Sequence, residues 1–431
     1  MAYTPNTLVW RYGGAIEGSS GSNFNVFEYT TTDALNVVLG TGYFSDGYQK
    51  QMRVGDIVWV VNQSTPSVVK CQVSVSTATN VASGTGPSTV IQQDVLGANL
   101  SIFPRNMLDG GDFTINPFQR GTASLGTNVG TTATYLADRW FACGGTTTYI
   151  NMLQTAATDV PGFADSLTWE RVASPTFTMY LGQVMETADS IRAQGQPVCL
   201  SWWAKSGAQF SSAGSALTAQ IISGTGTNQS AQLLSGVGGS NWTGAATVAT
   251  GTVTLTTTAT RFSITGSVAA NATQLGVLFS YQPSGTSTTT DNVNFYGIQL
   301  ELGSAPTAFE HRDIEMELAL CQRYFAAINE PTTGVFVAAG FWNSATVAQV
   351  IAYLPTQMRV APTVTTQLGT FVVTLGSGVT ETIGTLTVNS ANHTPTAYSL
   401  KITTVSAATA GQGALLQGAG GTGYIWASAD F

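Results

Sequence analysis

Short apolar runs of period two, each closed by Gly, Ser, Asn or Pro before a helix could extend, recur along most of this chain. They predict strands over 147–153, 198–204, 216–222, 251–257, 261–268 and 274–281, and again over 336–341, 346–354, 363–367, 371–375, 386–389, 398–405 and 424–429. Pro355 and Pro362 fall between these runs, where a missing amide donor costs no ladder hydrogen bond. The fold class that follows is all-β, a series of antiparallel β-sandwich or jelly-roll domains. No internal repeat is present, which disfavours a β-helix.

Composition describes the surface of such domains. Charged residues make up 9% of the chain, against about 25% in an ordinary soluble domain, while Gly accounts for 47 of 431 residues and Ser and Thr are abundant. With 43% hydrophobic residues, 10% aromatic residues and a net charge of −8, the chain is not of disordered composition. Its surfaces are neutral and rich in hydroxyls, which suits stable particles and contacts with sugars. The 15 basic residues are scattered and outnumbered by 23 acidic ones, which excludes nucleic acid as a partner, since phosphate binding needs clustered cations. The opening MAYTPNTLVW lacks the pattern of a secretory signal, and no stretch approaches the ~18 apolar residues of a membrane span. The expectation is a soluble chain made in the cytoplasm, with no membrane insertion.

At this length about three domains are expected. The first, 1–104, carries a brief helical or turn-like run over 33–44, a strand over 53–62 and a return strand over 69–77 that make a hairpin across 62–66. A sandwich follows over 105–312. Phe295, Ile298, Leu300 and Leu302 supply its last strand, which Gly303, Ser304 and Pro306 break. Asp313 then caps a helix expected over 313–330, with Ile314, Leu318, Cys321, Phe325 and Ile328 forming an apolar stripe. That stripe packs either on its own sandwich or against other subunits, and heptad spacing alone does not decide between them. A second β-sandwich is expected over 331–431.

Catalytic arrangements are scarce. His311 and His393 lie in no metal-binding or serine-activating spacing, and the GxGxxG at Gly418, Gly420 and Gly423 precedes a strand, so it reads as a Gly-rich loop. Cys71, Cys143, Cys199 and Cys321 show no CxxC spacing and are expected as buried free thiols. Asp109 with Asp112, or Glu186 with Asp189, are the nearest pairs for a glycosidase, though acids at turns and caps are commonly structural. Aromatics are the better lead, because sugar rings stack their C–H faces on Trp and Tyr. Alternation in 199–206 puts Trp202 and Trp203 on opposite faces of a strand, so one belongs to the core and the other can line a carbohydrate-binding face. Burial of both, in the core or a subunit contact, fits the pattern equally. Trp140, beside Asp138 and Arg139, reads as a buried Trp next to a structural ion pair and is the third carbohydrate-binding candidate.

Gln299, Leu300, Glu301, Gly303, Phe309, Glu310 and Arg312, followed by ELALCQRYF at 317–325, resemble the seam of tail-fibre and head-fibre virion proteins of tailed phages and prophages. NMLDGGDFTINPFQRGT, YLADRWFACGG and CLSWWAKSG likewise resemble the carbohydrate-binding-module-like jelly rolls of such fibres, over 106–312. The pattern GYF followed by RVGD resembles N-terminal modules of phage structural proteins. The resemblance implies a non-enzymatic virion fibre, spike or capsid-decoration protein, a homotrimer held to other virion proteins by its N-terminal module. Its jelly roll and terminal domain would project toward host-surface polysaccharide. It also implies a structural calcium at Asp112 and Asp291 and no other cofactor. A purely architectural decoration protein and a glycan-degrading tailspike enzyme are the alternatives.

Overall fold

The computed structural model describes residues 8–15, 23–33, 35–38, 44, 56–63, 67–77, 88–93, 105–115, 129–145, 150–171, 176–284, 291–329, 333–369, 371–389, 393–404, 408–421 and 423–431. Parts of the expected first module, of the 106–122 motif and of the 147–153 strand lie outside the described residues. The chain divides into two compact units, Met1–Pro104 and Arg105–Phe431.

The first unit is a five-stranded sheet in chain order, of Leu8–Ala15 (β1), Asn23–Thr31 (β2), Ile57–Asn62 (β3), Ser67–Thr77 (β4) and Ser88–Gln93 (β5). Val58 and Val60 alternate inward from β3, and β3 returns into β4 with Asn62 opposite Ser67, as the hairpin reading expects. β2 and β3 run parallel, a pairing that local patterns did not reveal. The run over 33–44 contributes one helical turn, Leu35–Val38, and Phe44, whose ring meets the edge of Tyr29 at 5.0 Å in the small core.

In the second unit two antiparallel sheets face each other. One is ordered β13-β12-β15-β10-β7-β6, from Thr134–Ala137 (β6), Trp140–Gly144 (β7), Met179–Val184 (β10), Ala216–Gly224 (β12), Ala246–Thr254 (β13) and Gln274–Tyr281 (β15). The other is ordered β14-β11-β16-β9-β8, from Ile150–Ala156 (β8), Asp165–Arg171 (β9), Pro197–Ser206 (β11), Thr260–Ser267 (β14) and Asn292–Leu302 (β16). Trp140, Trp169, Trp202, Phe279 and Phe295 fill the space between them. β6, β7, β9 and β10 are absent from the sequence reading. β7 is buried at every position and so shows no alternation, and β9 turns a charged residue, Arg171, inward against Asp291.

The C-terminal strands, expected as a sandwich, instead close into a barrel ordered β18-β19-β23-β22-β21-β24. Its strands are Phe336–Trp342 (β18), Val347–Tyr353 (β19), Val372–Leu375 (β21), Thr380–Val388 (β22), Ala397–Thr404 (β23) and Gly413–Gln417 (β24). A three-stranded sheet of Phe325–Asn329 (β17), Tyr424–Ser428 (β25) and Thr363–Gln367 (β20) lies beside it, ordered β17-β25-β20.

The junction corrects one expectation. The helix is Ile314–Gln322 and ends there, and Phe325–Asn329 leaves it to pair antiparallel with Tyr424–Ser428. A strand puts Phe325 and Ile328 on opposite faces, so the stripe of Ile314, Leu318, Cys321, Phe325 and Ile328 does not exist as one surface. The helix buries Glu317 and Cys321 while Ile314 and Met316 stay exposed, and Asp313 stands at its N-cap with no side-chain capping bond. Glu317 accepts the Gly110 amide and pairs with Arg312 at 2.8 Å, so the helix docks on the sandwich by charge as much as by apolar contact.

Candidate functional site

Alternation along β11 turns Trp202 inward and Trp203 outward, onto the outer face of the β14-β11-β16-β9-β8 sheet. Across from it β16 carries a bulge at Gly297, which adopts the left-handed φ of +51°. An added Cβ there would meet the Phe163 ring at 2.2 Å, so only glycine fits both the backbone and the space. The bulge places Tyr296 opposite Trp203 and Gln299 opposite Ser201, and all four side chains share the outer face.

Residues 303–312 cross half of this face. Ser201, Gln299 and Glu301 point outward yet are 1%, 0% and 1% exposed, because this strap lies on them. Glu301 accepts the Thr307 amide at 2.8 Å and its hydroxyl at 2.6 Å, Gln299 accepts the Glu310 amide at 2.8 Å, and Arg261 donates to the Thr307 carbonyl. Phe309 and His311 close on Phe163 with ring centroids 5.1 and 5.2 Å away, which ties the strap to the loop between β8 and β9. That loop carries Asp159, which accepts from Tyr296 Oη at 3.0 Å and from Lys205 Nζ. The hydrogen bonds from Lys205 and Tyr296 hold the Asp159 carboxyl below its ordinary range. Burial works to lower the Lys205 ammonium, but its bond to Asp159 prevails and raises it. Tyr296 is thereby roofed over, while Trp203 keeps an exposed part.

The other half of the face is an array of amides and hydroxyls. Thr168 donates to Asn294 across the β9-β16 pair, Asn294 donates to Asn292 at 3.3 Å, and Thr155 shares a 2.9 Å bond with Ser166. Glu170 stands among them, its carboxyl raised by burial and pulled back in part by a hydrogen bond to Asn151. One half-open indole on the same face as the half-buried amides of Asn294, Asn292 and Asn151, walled by a strap and a latched loop, can receive a polyhydroxylated ring: an apolar face on Trp203, hydroxyls on the amides. Sequence reasoning named Trp203 as a candidate and did not mark Lys205, Asp159, Asn294, Thr168 and Glu170, which share its face. Lys205 lay two positions along the same strand from Trp203, but the others reach the face only through pairings distant in sequence.

As carbohydrate-binding candidates Trp202 and Trp140 are corrected, while the reading of Trp140 as a buried indole holds. Trp202 is wholly buried, its ring centroid 5.2 Å from that of Phe279 and 5.9 Å from that of Phe262, and Trp140 is wholly buried and donates Nε1 to the Gly110 carbonyl at 3.0 Å. Neither offers a face to a ligand. Asp112 and Asp291 are not brought together either. Asp112 binds Thr114 and acts on Asp165 at the start of β9, whereas Asp291 is held by Arg171 at its end, at 2.8 Å, and by Ser211. Those strand ends are roughly 20 Å apart, so the two carboxylates do not share one ion. Among the described residues no group of three or more His, Cys, Asp or Glu side chains converges.

Of the carboxylates weighed for hydrolysis, Asp109 and Glu186 belong to the junction. Asp109 is paired with Arg139 at 3.2 Å and Arg312 at 3.6 Å, and Arg139 lies over Tyr324 with its guanidinium carbon 3.3 Å from the ring centroid. Glu186 takes both arms of Arg323, at 2.6 and 3.0 Å, and the Tyr324 hydroxyl at 2.8 Å.

No known protein family matches the sequence, and no curated protein matches it. Among solved structures the fold is similar to the enzymatically active domain of tailspike protein 4 of bacteriophage CBA120, with 12% identity and a TM-score of 0.28 over 46% of this chain and 21% of that one. It is also similar to the xylan-binding domain of CBM 22, with 13% identity and a TM-score of 0.26 over 42% of this chain and 96% of that one. A third similarity is to TmCBM61 in complex with β-1,4-galactotriose, with 12% identity and a TM-score of 0.26 over 47% of this chain and 100% of that one.

Proposed function

We propose that this chain is a structural virion protein of a tailed phage or prophage, a fibre, spike or capsid decoration that binds host-surface glycan through the Trp203 face. The virion assignment, the homotrimer and attachment through the first unit rest on the fibre-like seam at 299–325 and the jelly-roll motifs before it. The glycan reading rests on one observation. Trp203 turns outward on a sheet face that also carries the half-buried amides of Asn294, Asn292 and Asn151, and a strap covers this face only in part.

The test is retention of the purified chain on immobilised bacterial surface polysaccharides, wild type against Trp203→Ala. An indole contact adds ~0.5–1.5 kcal/mol to its area burial, so roughly a tenfold loss of affinity is expected, with the melting temperature unchanged. Binding indifferent to Trp203→Ala would move the site elsewhere. No retention on any polysaccharide would leave the architectural role alone.

A further inference from the structure

We propose that the β24-β18-β19 side of the C-terminal barrel is where copies of this chain meet, with Tyr353 of one copy seated in the depression beside Tyr353 of the next. The inference is independent of the glycan reading.

The exterior of this barrel is unequal. On the β22-β23 side the outward positions are Thr382, Thr385, Thr387 and Lys401, as expected for a wall facing water. On the β18-β19 side Phe336 is 59% exposed, Phe341 53%, Ile351 46% and Tyr353 80%. Phe336, Ile351 and Tyr353 form a patch and not a scatter, since all three line one depression in which Ala339 lies opposite Ile351 on one side and Leu415 on the other, while Phe341 stands at its margin opposite Gln349. A depression of about 590 Å³ opens there, lined by Phe336, Ala339, Gly340, Ile351, Tyr353 and Leu415, and its low floor follows from the two small residues of β18. The four most exposed side chains present on the order of 400 Å², near the upper size for a patch left to water and about half of what one partner buries in a standard interface.

The lining identifies the occupant. It has no amide or carboxylate side chain and one hydroxyl, on Tyr353, so a sugar seated there would leave its own hydroxyls unpaired. It carries no charge for steering a charged partner, and at an uncharged face the chain's net charge of −8 offers no close like-charge pair to oppose contact between copies. A projecting ring and a shallow hole stand on the same patch, so each copy gives its Tyr353 and receives another's, an exchange that a closed symmetric assembly satisfies. The barrel has no free strand edge, so the contact is face to face.

The experiment is light scattering coupled to size exclusion on the full chain at ~10 µM. Wild type, Tyr353→Arg, Ala339→Trp (which fills the depression) and Ile314→Arg on the junction helix are compared. Wild type and Ile314→Arg should run at an integral multiple of 44.9 kDa, and the two barrel variants at 44.9 kDa with circular dichroism and per-chain polysaccharide retention unchanged. A wild-type monomer would overturn the proposal. So would an assembly that survives both barrel variants, or one lost only in Ile314→Arg, and Ala339→Trp decides the matter if Tyr353→Arg does not fold.

Discussion

Gly297 is the residue on which the candidate site turns. Its left-handed φ of +51° inserts one extra residue into β16, and the step from Phe295 to Ile298 on the inner face, three positions where a regular strand takes two, is the trace the bulge leaves in the sequence. Without it Tyr296 and Gln299 would fall on opposite faces. We predict that Gly297→Ala loses at least ~1 kcal/mol from the backbone alone, and more because Phe163 must leave its place between Gly297 and Phe309. Urea unfolding measures this, and a variant as stable as wild type would show that the bulge needs no glycine. Trp202 and Trp203 show what local pattern can and cannot resolve. Alternation assigns them to opposite faces, but which of them faces the core depends on the opposite sheet, where Phe279 receives Trp202.

At the scale of elements, the junction helix and the strand after it show how tertiary pairing overrides local period. The spacing of Ile314, Leu318, Cys321, Phe325 and Ile328 suits a helix, yet Phe325–Asn329 takes up a strand that pairs antiparallel with Tyr424–Ser428 and satisfies the backbone groups of both. Phe325 then packs against Trp426 with ring centroids 5.7 Å apart. Glu186 fastens the turn between them. Burial pushes its carboxyl up, but the Arg323 fork and the Tyr324 hydroxyl outweigh burial and hold it below the usual carboxylate range. A carboxyl depressed in the folded state stabilises when ionised, so its contribution is complete above the unfolded value of about 4.3 and is lost as pH falls through the folded one. Glu186→Gln should therefore cost about 2 kcal/mol at neutral pH. The gap between variant and wild type should close below about pH 4. Denaturant titrations at both pH values check the sign, and a constant gap would contradict it.

At the scale of the whole molecule, the first unit has its own small core around Phe27, Tyr29, Val58 and Cys71. The sandwich and barrel have separate cores, but the Asp109, Arg139, Arg312, Glu317, Glu186 and Arg323 network joins them in one unit. We expect a fragment of residues 105–431 to fold and to retain polysaccharide as well as the full chain, and calorimetry of the full chain to show a separate transition for the first unit. A fragment that expresses unfolded would refute this division. The sequence by itself determined the all-β class, the hairpin of the first unit, most strands of the second unit, the end of the sandwich at Leu302 and the outward Trp203 as one of two options, because period-two burial and Gly or Pro breaks act within a few residues. Only the tertiary structure decided the parallel β2-β3 pair, the closure of the barrel, the strand at Phe325, the roof of Asp159 over Tyr296 and the apolar barrel wall. Each of these depends on which distant segment supplies the hydrogen bonds or covers the surface. A residue's neighbours along the chain state its period, and its neighbours across the fold state what that period is for.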